Sequence, residues 1–254
     1  MNKSVQRGMI AVLGFSLMFS VGVASAQEEG LHTLTFDHHR LEFSETLANQ
    51  IRVTFLNELI EDEAGVSYPP HIRVSFEQAL LGTVDIWYAG NINFYRTENF
   101  VDHPFEAQLE QLESLLAEQP DLTTEETLPT FHPFMDAASI SLSTFTFFTR
   151  ADYFETDSYH GITFTNGRMY NTNANMILSR YSFLALSADG EWVMSGQFTQ
   201  DEVQLPAGIE LIEDEAAYGV AVREAFNALP SDALSPATEV IEQLLTSVTY
   251  LGDE

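Results

Sequence analysis

The chain of 254 residues has no cysteine and a single lysine, Lys3. Without thiols there are no disulfides, thiolate zinc sites, cysteine-ligated iron–sulfur clusters or cysteine nucleophiles. The fold must rest on its core alone. Phosphate loops are missing as well: neither G-x-G-x-x-G nor G-x-x-x-x-G-K-[ST] occurs. There is no EF-hand spacing and no G-x-S-x-G elbow. The longest apolar run, Met9–Val23, spans 15 residues, short of the roughly 20 that a membrane helix needs.

Cations are scarce. Ten Lys and Arg oppose 38 Asp and Glu, a formal net charge of −28. Such a surface excludes nucleic acid as a partner, because phosphate binding needs clustered cations. Anionic lipid headgroups are excluded on the same ground. High salt, which screens self-repulsion, suits this composition.

What is present begins with an export signal. Lys3 and Arg7 supply the positive n-region, Met9–Val23 the apolar h-region, and Ala24-Ser25-Ala26 the small-residue cleavage site. Residues 1–26 are therefore expected to be a cleaved signal peptide and 27–254 a single α+β domain. Cleavage takes two cations away, shifting the net charge from −28 to −30. Residue 27 is Gln, which offers no thiol to a lipid anchor. The expected product is a soluble protein, periplasmic or secreted, with no membrane insertion after cleavage.

Ile177–Thr199 carries the clearest folding signal. Asp189-Gly190 is the two-residue hairpin signature, calling for a type I′ turn. That turn would set Phe183 opposite Gly196, Ala185 opposite Met194 and Tyr181 opposite Phe198 on an apolar face. The other face would carry the mixed pairs Leu186/Val193, Leu184/Ser195 and Ser182/Gln197, half covered, with a helix over Leu184, Leu186 and Val193.

Other strands follow from period-2 alternation. His32–Glu45 reads as a hairpin with its turn at Asp37–Arg40. Ile51–Phe55 and Ile72–Phe76 alternate. Val84–Tyr88 and Ile92–Tyr95 read as two short strands split at Gly90-Asn91. Ser139–Arg150, Tyr153–Thr156 and Gly161–Thr165 complete the set. Helices are expected in three places. The first follows Pro104, capped by Asp102 or His103, with Phe105, Leu109, Leu112 and Leu116 as its stripe. The second carries Tyr218, Val222, Ala225, Phe226 and Leu229. The third starts at a Ser235 cap with Pro236 in its first turn and buries Val240, Ile241, Leu244, Leu245 and Val248. No βαβ alternation appears. The expected class is α+β, a mainly antiparallel sheet with helices packed on it.

A series of phrases in order resembles a family of exported bacterial proteins of uncharacterised role, many of them lipoprotein-like. The phrases are Pro70-His71-Ile72, Ile92-Asn93-Phe94-Tyr95, Gln111–Leu116 with Pro120-Asp121-Leu122, Leu128-Pro129, Gly161-Ile162-Thr163-Phe164 and Tyr181–Gly190 with Trp192–Ser195. The strand order with late helices is similar to the PsbP/Mog1-type α+β sandwich. The resemblance implies a fold and export; it brings no catalytic residues.

Few residues suggest chemistry. Asp37-His38-His39 resembles the Asp-His-His element of manganese phosphoesterases, but the expected turn and the missing Asp clusters favour a solvated loop. The seven histidines form no i, i+2 or i, i+4 pair of the metal-binding kind. His71, Asp102 and His103 are the candidate residues for a ligand site assembled from distant segments. No catalytic residue, metal site or cofactor is assigned. A Phe-rich set (Phe131, Phe134, Phe145, Phe147, Phe148) is either core or a binding surface. The favoured reading is a non-catalytic exported binding or accessory domain, whose partner is an unknown protein or a small ligand. The alternatives are a hydrolase around His71, Asp102 and His103, and calcium-dependent adhesion through Glu58–Glu63.

Overall fold

The computed structural model describes residues 15–17, 30–61, 66–79, 86–125, 127–131, 145–171, 176–204, 215–230 and 233–252. Outside them lie most of residues 1–29, Asp62 and Glu63 of the acidic run, Phe134, and the start of the strand expected from Ser139.

The strands are β1 (Phe15–Leu17), β2 (Leu31–Phe36), β3 (His39–Ser44), β4 (Gln50–Leu56), β5 (Ile60–Glu61), β6 (Ser67–Tyr68), β7 (His71–Ala79), β8 (Ile86–Arg96), β9 (Phe145–Glu155), β10 (Tyr159–Asn171), β11 (Met176–Ser187), β12 (Trp192–Gln204) and β13 (Thr249–Tyr250). The helices are α1 (Glu106–Glu118), α2 (Glu215–Asn227) and α3 (Thr238–Ser247). The protein is thus mixed, dominated by sheet, and every described pairing is antiparallel.

Eight strands form one sheet in the order β1-β4-β7-β8-β12-β11-β10-β9. A hairpin, β7–β8, and a four-strand meander, β9 to β12, meet where β12 lies beside β8. A smaller sheet, β13-β3-β2, and the pair β5-β6 complete the strands. β1 pairs along the outer edge of β4, with Phe15 opposite Phe55.

Alternation along each strand decides which side chains share a face. One face of the large sheet presents Val74, Phe76, Ile92, Phe94, Phe183, Ala185, Met194 and Phe198. These share a buried cluster with Leu41 and Phe43 of the small sheet and with Ile241, Leu244 and Leu245 of α3. On the opposite face, Tyr95, Ile162, Leu184, Leu186 and Val193 cluster with Leu109, Leu112 and Leu115 of α1. A third cluster joins Phe147 and Ile177 to Val222 and Phe226 of α2.

The β11–β12 register is the expected one, with Phe183 opposite Gly196, Ala185 opposite Met194 and Tyr181 opposite Phe198. The turn differs from type I′. Gly190 alone has positive φ, 73°, and its N–H donates to Ser187 O at 2.9 Å. The Asp189 carboxylate closes the loop instead. It accepts from the Ser187 hydroxyl at 2.6 Å and from Glu191 N–H at 3.0 Å. Those bonds hold the connection that two left-handed residues would otherwise have made.

Four other expectations are corrected. The split at Gly90-Asn91 does not occur, because β8 runs unbroken from Ile86 to Arg96 and the ring of Phe198 packs over Gly90. The first hairpin turns on Asp37-His38 alone, which places His39 inside β3 and wholly buried. The last helix starts at Thr238 with Ala237 as its N-cap, after a cis Ser235-Pro236 bond, so neither residue caps it. α1 likewise has no side-chain cap. Glu106 instead accepts from Asp102 N–H at 3.1 Å, and His103 Nδ1 accepts from Phe105 N–H at 3.2 Å.

Gly196 lies at the seam between β8 and β12, where a Cβ would collide with the Asn91 carbonyl and the Phe183 ring. A backbone oxygen cannot swing aside as a side chain can. Gly196→Ala is therefore expected to destabilise the protein by about 1–3 kcal/mol, the usual cost of overpacking a core. Urea unfolding checks this: an unchanged midpoint would mean the seam can open.

Candidate functional site

Rows of side chains run across the large sheet on the face that α1 shares. The row nearest α1 is His71, Tyr95, Val193 and Leu186, contributed by β7, β8, β12 and β11 in turn. The next row is Thr54, Arg73, Asn93, Ser195 and Leu184. The third is Arg52, Ser75, Asn91, Gln197 and Ser182, polar across five strands. Beyond it Arg180 pairs with Asn166. The apolar half of this face lies toward α1, and the other half is a field of guanidinium, amide and hydroxyl groups.

Polar as it is, this half-face is largely buried. Asn93 is 0 % exposed, Ser195 1 %, Ser182 3 % and Asn91 6 %. Such groups must find hydrogen bonds or cost stability. Several are linked in one chain. The His71 Nδ1–H donates to Pro69 O at 2.7 Å, which leaves Nε2 to accept from Arg73 Nη2 at 3.3 Å. Arg73 Nε donates to Asn93 Oδ1 at 2.9 Å, and Asn93 Nδ2 donates to Asn91 Oδ1 at 3.0 Å. At one end Arg52 pairs with Glu77 at 3.2 Å. At the other, Asn166 Nδ2 donates to Ser182 Oγ at 3.0 Å.

The electrostatics run against the rest of the molecule. Among the described residues, Arg52, Arg73 and Arg180 share this face with Glu77, a gathering of guanidiniums in a chain of −28. Arginine forks suit carboxylate and phosphate, and buried amides supply further fixed donors. The arrangement is chemically fit to hold an anion.

Of the three residues singled out in the sequence, one belongs to this network. His71 is buried, and burial holds its pKa down at about 4, with the Arg73 charge acting in the same direction against the Pro69 hydrogen bond. Asp102 is exposed, with φ of 60° in the loop before α1. His103 is half-buried beside Phe105, their rings 5.5 Å apart, and burial lowers its pKa. Among the described residues no hydrogen bond, ion pair or ring contact joins His71 to either of them. Each of the two serves the entry to α1.

Of the Asp37-His38-His39 triplet, Asp37 and His38 form the turn, Asp37 exposed and His38 half-buried, and His39 alone lies inside. His39 is enclosed by the rings of Phe94, Trp192 and Tyr250, at 4.3, 4.8 and 5.5 Å, and is hydrogen-bonded to the Tyr159 hydroxyl at 2.8 Å. Burial lowers its pKa to about 3, helped by the nearby charges of His38 and Arg96. Of the Phe-rich set, Phe131 and Phe147 are core residues and Phe148 is half-buried. Among the described residues no group of three or more His, Asp and Glu is placed to hold a metal ion. No described helix is long and apolar enough to cross a membrane.

Arg52, Arg73, Asn91, Asn93, Ser195 and Arg180 were missed as site residues. The signal for them was the interleaving of polar residues with Ile72, Val74, Phe76, Ile92 and Phe94 in β7 and β8. Period-2 alternation reads equally well as a solvent face, so only burial separates the two. Comparison with protein-family models, with curated proteins and with solved structures gave no match.

His39 and His71 stay neutral when folded but take up protons near pH 6.5 when unfolded. Their contribution is present above the unfolded pKa and is lost as pH falls from 6.5 toward 4. Each lowered histidine then contributes a slope approaching about 1.4 kcal/mol per pH unit. Urea midpoints between pH 6.5 and 5 are expected to fall in the native protein and to fall less steeply in His71→Gln. Parallel curves for the two proteins would contradict the assignment.

Proposed function

We propose that this chain is an exported, soluble, non-catalytic binding domain whose polar sheet face takes a small organic anion bearing carboxylate or phosphate. The observation that carries the reading is the gathering of Arg52, Arg73 and Arg180 with buried Asn and Ser side chains on one half-face of an otherwise acidic protein. A chain this short of cations gains nothing in solubility from collecting them. A ligand that neutralises them gives the arrangement a purpose. The residues of the leader and the Ala24-Ser25-Ala26 site support export to the periplasm or beyond, with a single α+β domain, helices packed on its sheet, as the product. The resemblance of its phrases to an exported, often lipoprotein-like family, and of its strand order to the PsbP/Mog1-type sandwich, points the same way.

The hydrolase reading has less support. A general base needs a free lone pair close to substrate. His71 Nε2 already accepts from Arg73, and its Nδ1–H is committed to a carbonyl.

Binding is testable by thermal unfolding at low ionic strength with citrate and with inorganic phosphate as probes. At about 100 times Kd a ligand stabilises by about 2.7 kcal/mol, which raises Tm by roughly 5–10 °C for a protein of this size. At least one of the two anions is expected to raise Tm in the native protein. The shift is expected to vanish in Arg73→Gln/Arg180→Gln. Sodium chloride at matched ionic strength raises Tm only by screening self-repulsion, and the anion's shift is measured as the excess over that baseline. No shift with either anion, or the same shift in the double variant, defeats the proposal.

A further inference from the structure

A second site lies on the other face of the sheet, near its β9 edge. There the β9–β10 register slips: Thr163 faces Asp152, but Thr165 faces Thr149, so β9 carries one extra residue across the step. Bulges of this kind bend a strand and re-aim its side chains. At this bulge Arg150 adopts φ of 52°, a left-handed conformation that costs a non-glycine residue on the order of 1 kcal/mol or more. Its guanidinium holds the strained turn in place by donating from Nη2 to Phe226 O at 2.9 Å and to Leu229 O at 2.7 Å, at the end of α2.

The bulge and α3 between them leave a cleft of about 320 Å³, lined by Arg150, Asp152, Thr163, Thr165, Tyr181, Glu239 and Glu242 among others. Three carboxylates face a space whose one guanidinium is already engaged with backbone carbonyls. The crowding is felt at Glu242, whose carboxyl is held above the usual range by burial first and then by the charges of Glu239 and Asp152. Carboxylates alone would be a solvated acidic cluster. A separate feature points to a ligand: Thr165 is among the residues lining the cleft and is wholly buried, and its hydroxyl has no hydrogen-bond partner. A buried hydroxyl left unpaired is costly unless something else pairs with it.

We propose that this cleft binds a small organic ammonium ion, its charged head between Glu242 and Asp152 and an N–H donated to Thr165 Oγ1. An ammonium group has three donors and no acceptor, which suits a lining of carboxylates and hydroxyls. Tyr181, Thr163 and Thr165 line the cleft beside the carboxylates. A bare metal ion fits less well, because the cleft is many times larger than an ion. Among the described residues the carboxylates do not converge as a ligand set. The cleft is at the lower end of the size range of small-molecule pockets, which limits the occupant to a few carbon atoms.

The test is isothermal titration of the full protein with 1,4-diaminobutane, with calcium chloride and glucose as comparison probes. Saturable one-to-one binding of the diamine is expected, weakened tenfold or more in Glu242→Gln and in Thr165→Val. Glu239→Gln provides a second surface variant should Thr165→Val fold poorly, and it is expected to weaken binding in the same way. Glu110→Gln, on the exposed side of α1, controls for diffuse attraction to an acidic surface and is expected to bind as the native protein does. The proposal is overturned if the diamine does not bind, or if Glu110→Gln loses as much affinity as Glu242→Gln. It is overturned equally if calcium or glucose binds the cleft with the same dependence on Glu242 and the diamine does not.

Discussion

Seven residue pairs between β8 and β12, from Trp192 opposite Arg96 to Phe198 opposite Gly90, join the two halves of the large sheet. Everything else is arranged around this seam. It fixes the rows that cross five strands, because β7 is registered to β8 and β11 to β12. A slip of one residue would turn Phe94, Met194 and Phe198 out of the core and turn Asn93 and Ser195 into it. The seam is also tight. At Gly196 the Asn91 carbonyl and the Phe183 ring occupy the space a side chain would need, so the strands can approach only through glycine.

The two faces produced by that register are unlike each other. One packs against the small sheet and α3 with mainly apolar side chains, His39 lying within aromatic rings, and turns polar at Thr163 and Thr165 beside the cleft. The other is apolar under α1 and polar beyond it. A polar network of this kind gives less stability than an apolar core of the same volume, since each buried amide and guanidinium must first be desolvated. Several of its members hydrogen-bond one another in a definite geometry, His71 to Arg73, Arg73 to Asn93 and Asn93 to Asn91, which specifies side-chain positions rather than adding to stability. On strands the backbone holds such donors still. The bulge at Arg150 contributes a similar device at the sheet's β9 edge, with strain held by hydrogen bonds to the end of α2.

Much of the architecture was legible in the residues. The β11–β12 register, the hairpin around Asp37, the stripe of α1 and the stripe of α3 all follow from periodicity, which acts over a few neighbouring residues. The departures have physical causes of longer range. Gly90-Asn91 looks like a break, yet β8 continues because Phe198 from another strand fills the space over the glycine. His39 looks like part of a turn, yet the turn closes one residue earlier. The short strand β13, pairing Tyr250 with His39, carries the chain's end back onto that hairpin. Helix starts were misread where the expected caps, Asp102 and Ser235, turned out to make no cap. At α1, Glu106 reaches back to Asp102 N–H instead.

The candidate site was legible only in fragments. His71 drew notice as a histidine, but the residues around it, Arg73, Asn93 and Asn91, sit at alternating positions that any half-exposed strand could show. The sequence by itself determined local matters: acidity, the absence of thiol chemistry, the alternation within each strand, and the pairing across the Asp189-Gly190 turn. Those depend on composition or on contacts between near neighbours. Tertiary structure alone decided that polar positions from β4, β7, β8, β12 and β11 fall into common rows, and that half of them are shielded from water. It alone placed Glu242 and Glu239 of α3 across from the bulge in β9. Such placements depend on pairings between residues about a hundred apart, as Asn93 and Ser195 are, and no local pattern encodes them.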